Sequence, residues 1–317
     1  MSKNKKQHFV PACYLKAWRD PDAPPLHTPY VWIFDKDGMA SRSKAPENIF
    51  HESDMYTIHG KNGERDLVLE KGLCQLEYDF TKVRNSKINF RRDLSSDDQF
   101  LLCAFAAAAQ SRTPSFREHH RSQWERPLRM MEEMTSSLAE MSPEEKQNFI
   151  SRQPPSLSSS KGGMGIEDIR RLHKNPLQNM LPMIIETLTP LLYRLDMAIL
   201  VTKDDIGFIT SDHPCVWFDE DSCRRPPMYQ APALMYETIE ITLPISPNHC
   251  LFLNRKGING YLDVKEKVVD DINRRVRFEA DEHFVVRRNV KRNYWFDPGK
   301  EPEDSWAKLN PRPSKHV

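Results

Sequence analysis

Apolar residues in this chain keep a helical period in the middle and a strand-like one from residue 196 onward. Leu69, Leu73, Leu76, Phe80 and Val83 recur four and three residues apart, which puts them on one face of a helix. Ser95 followed three residues later by Asp98 forms a capping box ahead of "DQFLLCAFAAAAQSR". That run is apolar on every side, so it is expected as the central buried helix, its alanines allowing close approach of a neighbour. Thr113-Pro114 supplies a cap and a first-turn proline, starting a helix from Pro114 to about Glu140, and Ser142-Pro143 opens a shorter one. Beyond them "NPLQNMLPMIIETLTPLLYRL" reads as a buried helix, with kinks expected where Pro182 and Pro190 intrude.

From Asp196 the runs shorten to "MAILVTK", "GFITS", "CVWF", "TIEITLPIS" and "HCLFLN", each bounded by turn residues, as in an antiparallel sheet. "DVKEKVVDDINRRVRFEAD" is one more helix and "HFVVRR" a last strand. Near the start, Tyr30 to Phe34 reads as a strand that Asp37-Gly38 returns in a hairpin. In "QHFVPACYLKAW" the Val10-Pro11 step predicts an extended segment, with Tyr14, Leu15 and Trp18 as its anchors in the core. Strands at both ends with helices between them make the class α+β: a central helical bundle flanked by an antiparallel sheet built from strands of both the N-terminal and C-terminal parts. One domain is expected over residues 1–297. The Pro-, Ser- and Gly-rich stretch at 152–165 reads as a flexible loop, and 298–317 as a loosely held tail.

The chain has 317 residues, 29% of them charged, and a formal net charge of +1, so nothing marks it as a generic nucleic-acid coat protein. The average hides an uneven distribution. Between residues 112 and 129 five arginines (Arg112, Arg117, Arg121, Arg126 and Arg129) stand against Glu118 and Glu125, a stretch able to attract a polyanion unless it is simply a solvated helix face. The six cysteines form no CxxC pair, and most lie in apolar runs as buried thiols do. The greasiest stretch, Leu181 to Val201, carries Glu186, Arg194 and Asp196, which argues against a membrane span. With no apolar segment after the first lysines to suggest a signal peptide, the cytoplasm is the expected compartment.

Four ordered segments, "QHFVPACYL", "QSRTPSFRE", "FITSDHP" and "LPISPNHCLFL", together resemble the DUF4238 family, from residue 7 to about 287. The resemblance implies no activity, because that family is defined as one of unknown function. It does say where to look for chemistry.

Asp212 follows an apolar strand and precedes His213-Pro214, so the scaffold can fix a carboxylate at a pocket rim; the alternative is a turn in which it caps backbone amides. His8 can serve as a general base or a metal ligand, or as a satisfied structural histidine. Arg112, Arg117 and Gln110 lie at the helix start around Pro114, where amides, dipole and guanidinium groups suit a phosphate; otherwise Arg112 pairs with Glu70 or Glu77. Those glutamates are about 10 Å apart along their helix, too far to share one metal ion by themselves but able to join Asp212 and His8. Such an oxygen-rich set suits magnesium or manganese. Arg112 and His119 also match the R-x6-H spacing of HEPN-type ribonucleases, a short pattern that the strand-rich second half does not support.

The leading expectation is a nucleic-acid or nucleotide phosphodiesterase, nuclease-like and metal-assisted, with Arg112, Arg117 and Gln110 holding phosphate and Asp212 with His8 or His213 activating water. The alternative is a non-enzymatic binding or sensing module whose motif residues are structural clamps. Convergence of His8, Arg112 and Asp212 on one cleft would favour the first; dispersal into paired, buried networks would favour the second.

Overall fold

The computed structural model describes residues 5–24, 26–60, 62–152, 163–300 and 302–310. The chain opens with β1 (Lys6–His8), turns at Pro11 into the short helix α1 (Ala12–Leu15), and forms β2 (Val31–Asp35) and β3 (Ser41–Lys44) as the expected hairpin. Short strands β4 (His51–Ser53), β5 (Ile58–His59) and β6 (Arg65–Asp66) follow. Next come α2 (Val68–Ser86), α3 (Ser96–Ser111), α4 (Pro114–Glu140), α5 (Pro143–Ser151), α6 (Ile166–Lys174) and α7 (Pro176–Tyr193). The remaining elements are β7 (Asp196–Val201), β8 (Thr210–Ser211), β9 (Val216–Asp219), β10 (Ile239–Ser246), β11 (His249–Asn254), β12 (Gly260–Asp263), α8 (Glu266–Glu279), β13 (His283–Val286) and α9 (Trp306–Leu309). The class is α+β, as the sequence predicts.

Two compact units result: Met1–Thr113 together with Met183–Val317, and Pro114–Pro182. In the second, Arg170 of α6 reaches Glu132 of α4 at 2.9 Å, and α4 itself buries no residue completely. The first unit holds two larger sheets. One has the order β12-β7-β11-β10-β9, antiparallel except that β12 runs parallel to β7. The other, β3-β2-β13-β8, joins the N-terminal hairpin to two C-terminal strands, so strands from both parts of the chain do share a sheet.

Alternation along these strands feeds two cores. Ile199, Ile241, Leu251, Ile33 and Val285 face one core, where Tyr14, Trp18, Phe80, Phe105 and the alanines of α3 pack. Their neighbours Leu200, Cys250, Phe252, Phe34 and Phe284 face the other, closed by Val269, Ile272 and Val276 of α8 and by Trp295. Strands buried on both faces explain why the sequence shows continuous apolar runs there. The capping box at Ser95 forms, and Ala106, Ala107 and Ala108 are wholly buried, which confirms α3 as the central helix.

Some expectations change. "GFITS" is a strand only at Thr210–Ser211, because Asp204 turns the chain by accepting the Ile206 and Gly207 amides. The amides of Phe208 and Ile209 then go to the Pro247 carbonyl and the Asn273 side chain rather than to a ladder. The helix α7 continues through Pro182 and Pro190. Three cysteines, Cys103, Cys215 and Cys250, are buried; Cys13 and Cys223 are partly covered and Cys74 is exposed, all six as thiols. Of the stretch read as a flexible loop, residues 153–162 lie outside the described residues. In the stretch read as a loose tail, Ser305 is buried and caps α9, and Arg224 meets Asp304 at 2.6 Å. No helix among the described residues is long and apolar enough to cross a membrane.

Candidate functional site

Arg112 stands at the end of α3, its amide closing the last turn on the Ala108 carbonyl. Its side chain, 1% exposed, turns to α2, where Nη1 donates to Glu77 Oε1 at 2.8 Å. Phe105 lies beneath the guanidinium, with its ring centroid 5.9 Å away. The other two nitrogens, Nε and Nη2, are buried and have no hydrogen-bond partner among the described residues. These adjacent N–H groups form one edge of the planar fork, the geometry that takes two oxygens of a carboxylate or phosphate.

His8 comes to this region on β1, which pairs with β4 so that His8 faces His51 with ring centroids 5.4 Å apart. Tyr56, fully buried, joins the two segments: its hydroxyl donates toward the carbonyls of Arg112 (3.1 Å) and His8 (3.4 Å). Burial pushes the His8 imidazole from the usual 6.5 to about 4; His51 adds to this, a hydrogen bond with the Glu47 backbone opposes it, and Lys6 and Arg112 contribute further lowering. Nε2 of His8 is buried without a partner among the described residues. In the neutral ring, the tautomer protonated at Nδ1 leaves a lone pair on Nε2.

Around the Arg112–Glu77 pair sit further titratable groups. Cys13 Sγ lies 3.8 Å from Glu77 Oε2, and Cys74 Sγ lies 3.8 Å from Glu70 Oε1. Burial, then the charge of Glu77, raises the Glu70 carboxyl above its ordinary range. Gln110 Oε1 and Ser111 Oγ are likewise buried without partners among the described residues. Thus His8, Arg112, Glu70 and Glu77 share one region of the first unit, and Gln110 and Ser111 precede Arg112 in the same helix.

Asp212 has a different setting. It is 4% exposed, and its two oxygens accept the main-chain amides of Asp281, Glu282 and His283, each at 2.7 Å. Its own amide donates to the His283 carbonyl, so the residue clamps the end of β8 to the start of β13. Burial raises its carboxyl, while the three amides pull the other way. This is the amide-capping arrangement, and neither oxygen is directed at His8 or Arg112. His213 follows in the same turn: its amide donates to Ser211 Oγ at 3.1 Å, and Nδ1 stands 4.0 Å from Asp281. Gln7 is also a clamp, fully buried, accepting the Tyr56 amide and donating to Thr57.

On α4, Arg117 and Arg121 both engage Glu118, at 2.9 and 2.7 Å. Arg126 and Arg129 lie roughly 180° and 120° around the helix from Arg117, at about 100° per residue. Within α4 the arginines therefore form no single face, and Arg112, in the first unit, is committed to Glu77. The proposed magnesium or manganese ligands do not gather either: Glu77 serves Arg112, Asp212 serves three amides, and among the described residues no three His, Cys, Asp or Glu side chains converge as ligands. Tyr56 and His51 escaped the sequence reading, although "HESDMYT" after Phe50 is a dense polar and aromatic cluster of the kind that marks a site.

The sequence profile of a family described as "Protein of unknown function (DUF4238)" matches residues 6–291. The chain belongs to the DUF4238 family. No curated protein and no solved structure matches it. Within this DUF4238 chain the four motif segments divide by task. "QHFVP" and "QSRTP" bring His8 and Arg112 into one buried polar region. "FITSDHP" supplies the Asp212 clamp. "LPISPNHCLFL" is the β10–β11 hairpin, whose turn residues Ser246 and His249 hydrogen-bond at 3.0 Å.

Proposed function

We propose that the protein binds a phosphate ester at the unpaired edge of Arg112 and hydrolyses it, as a nucleotide or nucleic-acid phosphodiesterase. The observation that carries this reading is that Tyr56 ties the main chains of His8 and Arg112 together, while Arg112 Nε and Nη2 and His8 Nε2 are all buried and without partners among the described residues. Buried polar groups are normally satisfied, and these lack what a ligand oxygen and a water proton would supply. Arg112 holds the non-bridging oxygens and balances the charge that grows on them. His8 takes a proton from water at Nε2, the resulting hydroxide attacks phosphorus, and the P–O bond to the leaving group breaks. Glu70, whose carboxyl burial favours in its protonated form, returns a proton to the departing oxygen. A bound anion beside His8 stabilises the imidazolium and raises its basicity toward the working pH.

The assay is cleavage of labelled RNA, DNA and nucleotides by the full chain, with and without magnesium or manganese. Turnover is expected to fall roughly 100-fold or more in His8→Gln, and binding to weaken in Arg112→Lys. Unchanged turnover in His8→Gln overturns the mechanism. A second reading, a binding module without catalysis, is favoured by Asp212 and Gln7, which act as clamps. Phosphate-ester binding that depends on Arg112 with no product from any substrate selects it.

A further inference from the structure

A second polar region of the first unit is an open cleft of about 810 Å³. Lys16 and Arg19 reach it from the chain after α1, Arg84 from α2, and Arg287 from the chain after β13, with Ser246 and His249 of the β10–β11 turn completing its wall. No Asp or Glu lines it. Among the described residues its cations make one ion pair, Lys16 with Glu47 at 3.4 Å, both well exposed and therefore weak. Arg19 and Arg287 have no ion pair or hydrogen bond among the described residues.

Arg84 is the informative member. It is 5% exposed, and its guanidinium donates to the carbonyls of Tyr14 (3.2 Å) and Cys13 (3.1 Å) and to Asn85 Oδ1 (3.2 Å). Every acceptor is neutral, so a full positive charge is held at the cleft wall with no ion-pair partner among the described residues. A buried charge without a partner is unfavourable, and three further cations lining the same cleft raise its positive potential unless an anion enters. The volume falls in the range of small-molecule sites, roughly 300–1,000 Å³. Several cations in a cleft of this size match the several charges of a short phosphate chain better than a single phosphate.

We infer that this cleft is a binding site for a linear polyphosphate group, carried by a nucleoside di- or triphosphate or present as free tripolyphosphate. It adjoins the Arg112–Glu77 pair through Cys13, but Arg112 does not line it and it does not depend on the hydrolytic reading. Titration calorimetry on the full chain with tripolyphosphate, adenosine triphosphate, adenosine monophosphate and a single-stranded oligonucleotide tests it. Tripolyphosphate or the triphosphate is expected to bind, the monophosphate more weakly, with affinity falling as salt is added. Because Arg84 also ties α1 to α2 and its variants need not fold, the decisive variant is Arg19→Ala/Arg287→Ala. It should lose about tenfold or more in affinity at an unchanged Tm without ligand. Binding by the triphosphate alone identifies a nucleotide as the source, and binding by tripolyphosphate alone a free chain; both support the site. No binding of either at about 1 mM, indifference to the double substitution, or tight oligonucleotide binding that tripolyphosphate does not displace overturns it.

Discussion

Asp212 gives both carboxylate oxygens to the amides of residues 281–283. Asp212→Ala leaves three partly buried donors without their acceptor, a loss of about 1–3 kcal/mol. Thermal melts should show a clearly lower Tm, while turnover per folded molecule is unchanged. His8 behaves in the opposite way, since its effect is visible through pH. Its imidazole sits at about 4 in the fold against the usual 6.5, so between those values the unfolded chain binds more protons. Its contribution to stability is therefore complete above about pH 6.5 and is lost as pH falls toward 4, at less than about 1.4 kcal/mol per pH unit because the ring is partly wet. His249, also at about 4 through burial, acts in the same window. Denaturant midpoints measured across pH 4–7 should flatten in His8→Gln, unless that histidine is charged in the fold. The sequence could nominate both residues but not separate them: a carboxylate after a strand looks the same whether three amides or a ligand awaits it.

Among the elements, α3 was the most legible, because its cap, its alanines and the following Thr-Pro all argue for the same boundaries. The same packing makes it intolerant. Ala107→Leu places a larger side chain where exposure is 0%, at a cost of roughly 1–3 kcal/mol. The turn before β8 was less legible, since its amides are satisfied by Pro247 and Asn273, far away in sequence. Gly207 has φ +71°, and a Cβ there would meet the Pro247 carbonyl oxygen at 2.0 Å. Gly207→Ala should therefore destabilise by more than about 1 kcal/mol and shift the Pro247 turn that walls the polyphosphate cleft. A melt combined with the calorimetric titration reads both effects. Likewise β12, a parallel edge strand of four mostly exposed residues, lacks the apolar run that marks its neighbours.

In the first unit the order of the chain and the order of the fold diverge. Tyr14, Leu15 and Trp18 are at most 1% exposed and anchor the opening segment among strands and helices from both sequence halves. Deleting residues 1–18 should abolish the cooperative melt of this unit, as followed by near-ultraviolet circular dichroism; a retained transition would mean the segment is only a covering. The cleft cations Lys16, Arg19, Arg84 and Arg287 were invisible as a group for the same reason, being ordinary basic residues until three distant stretches bring them together. The Arg112 region was partly readable because Glu77 had been named as a partner, although the unpaired edge of the guanidinium follows only from coordinates.

Long-range closure of the fold has a consequence for synthesis. Trp18 donates to the Phe208 carbonyl across 190 residues, Tyr14 to the Pro244 carbonyl across 230, and Arg42 meets His283 across 241. A ribosome adding roughly 5–20 residues per second leaves β2 without β13, and Tyr14 and Trp18 without their acceptors, for on the order of tens of seconds. Through that interval Tyr14, Trp18 and Ile33 are exposed on a nascent chain that cannot yet form its sheet. Such a chain should be a strong client for holding chaperones until β13 emerges, and stalled chains ending before residue 283 should remain protease-sensitive.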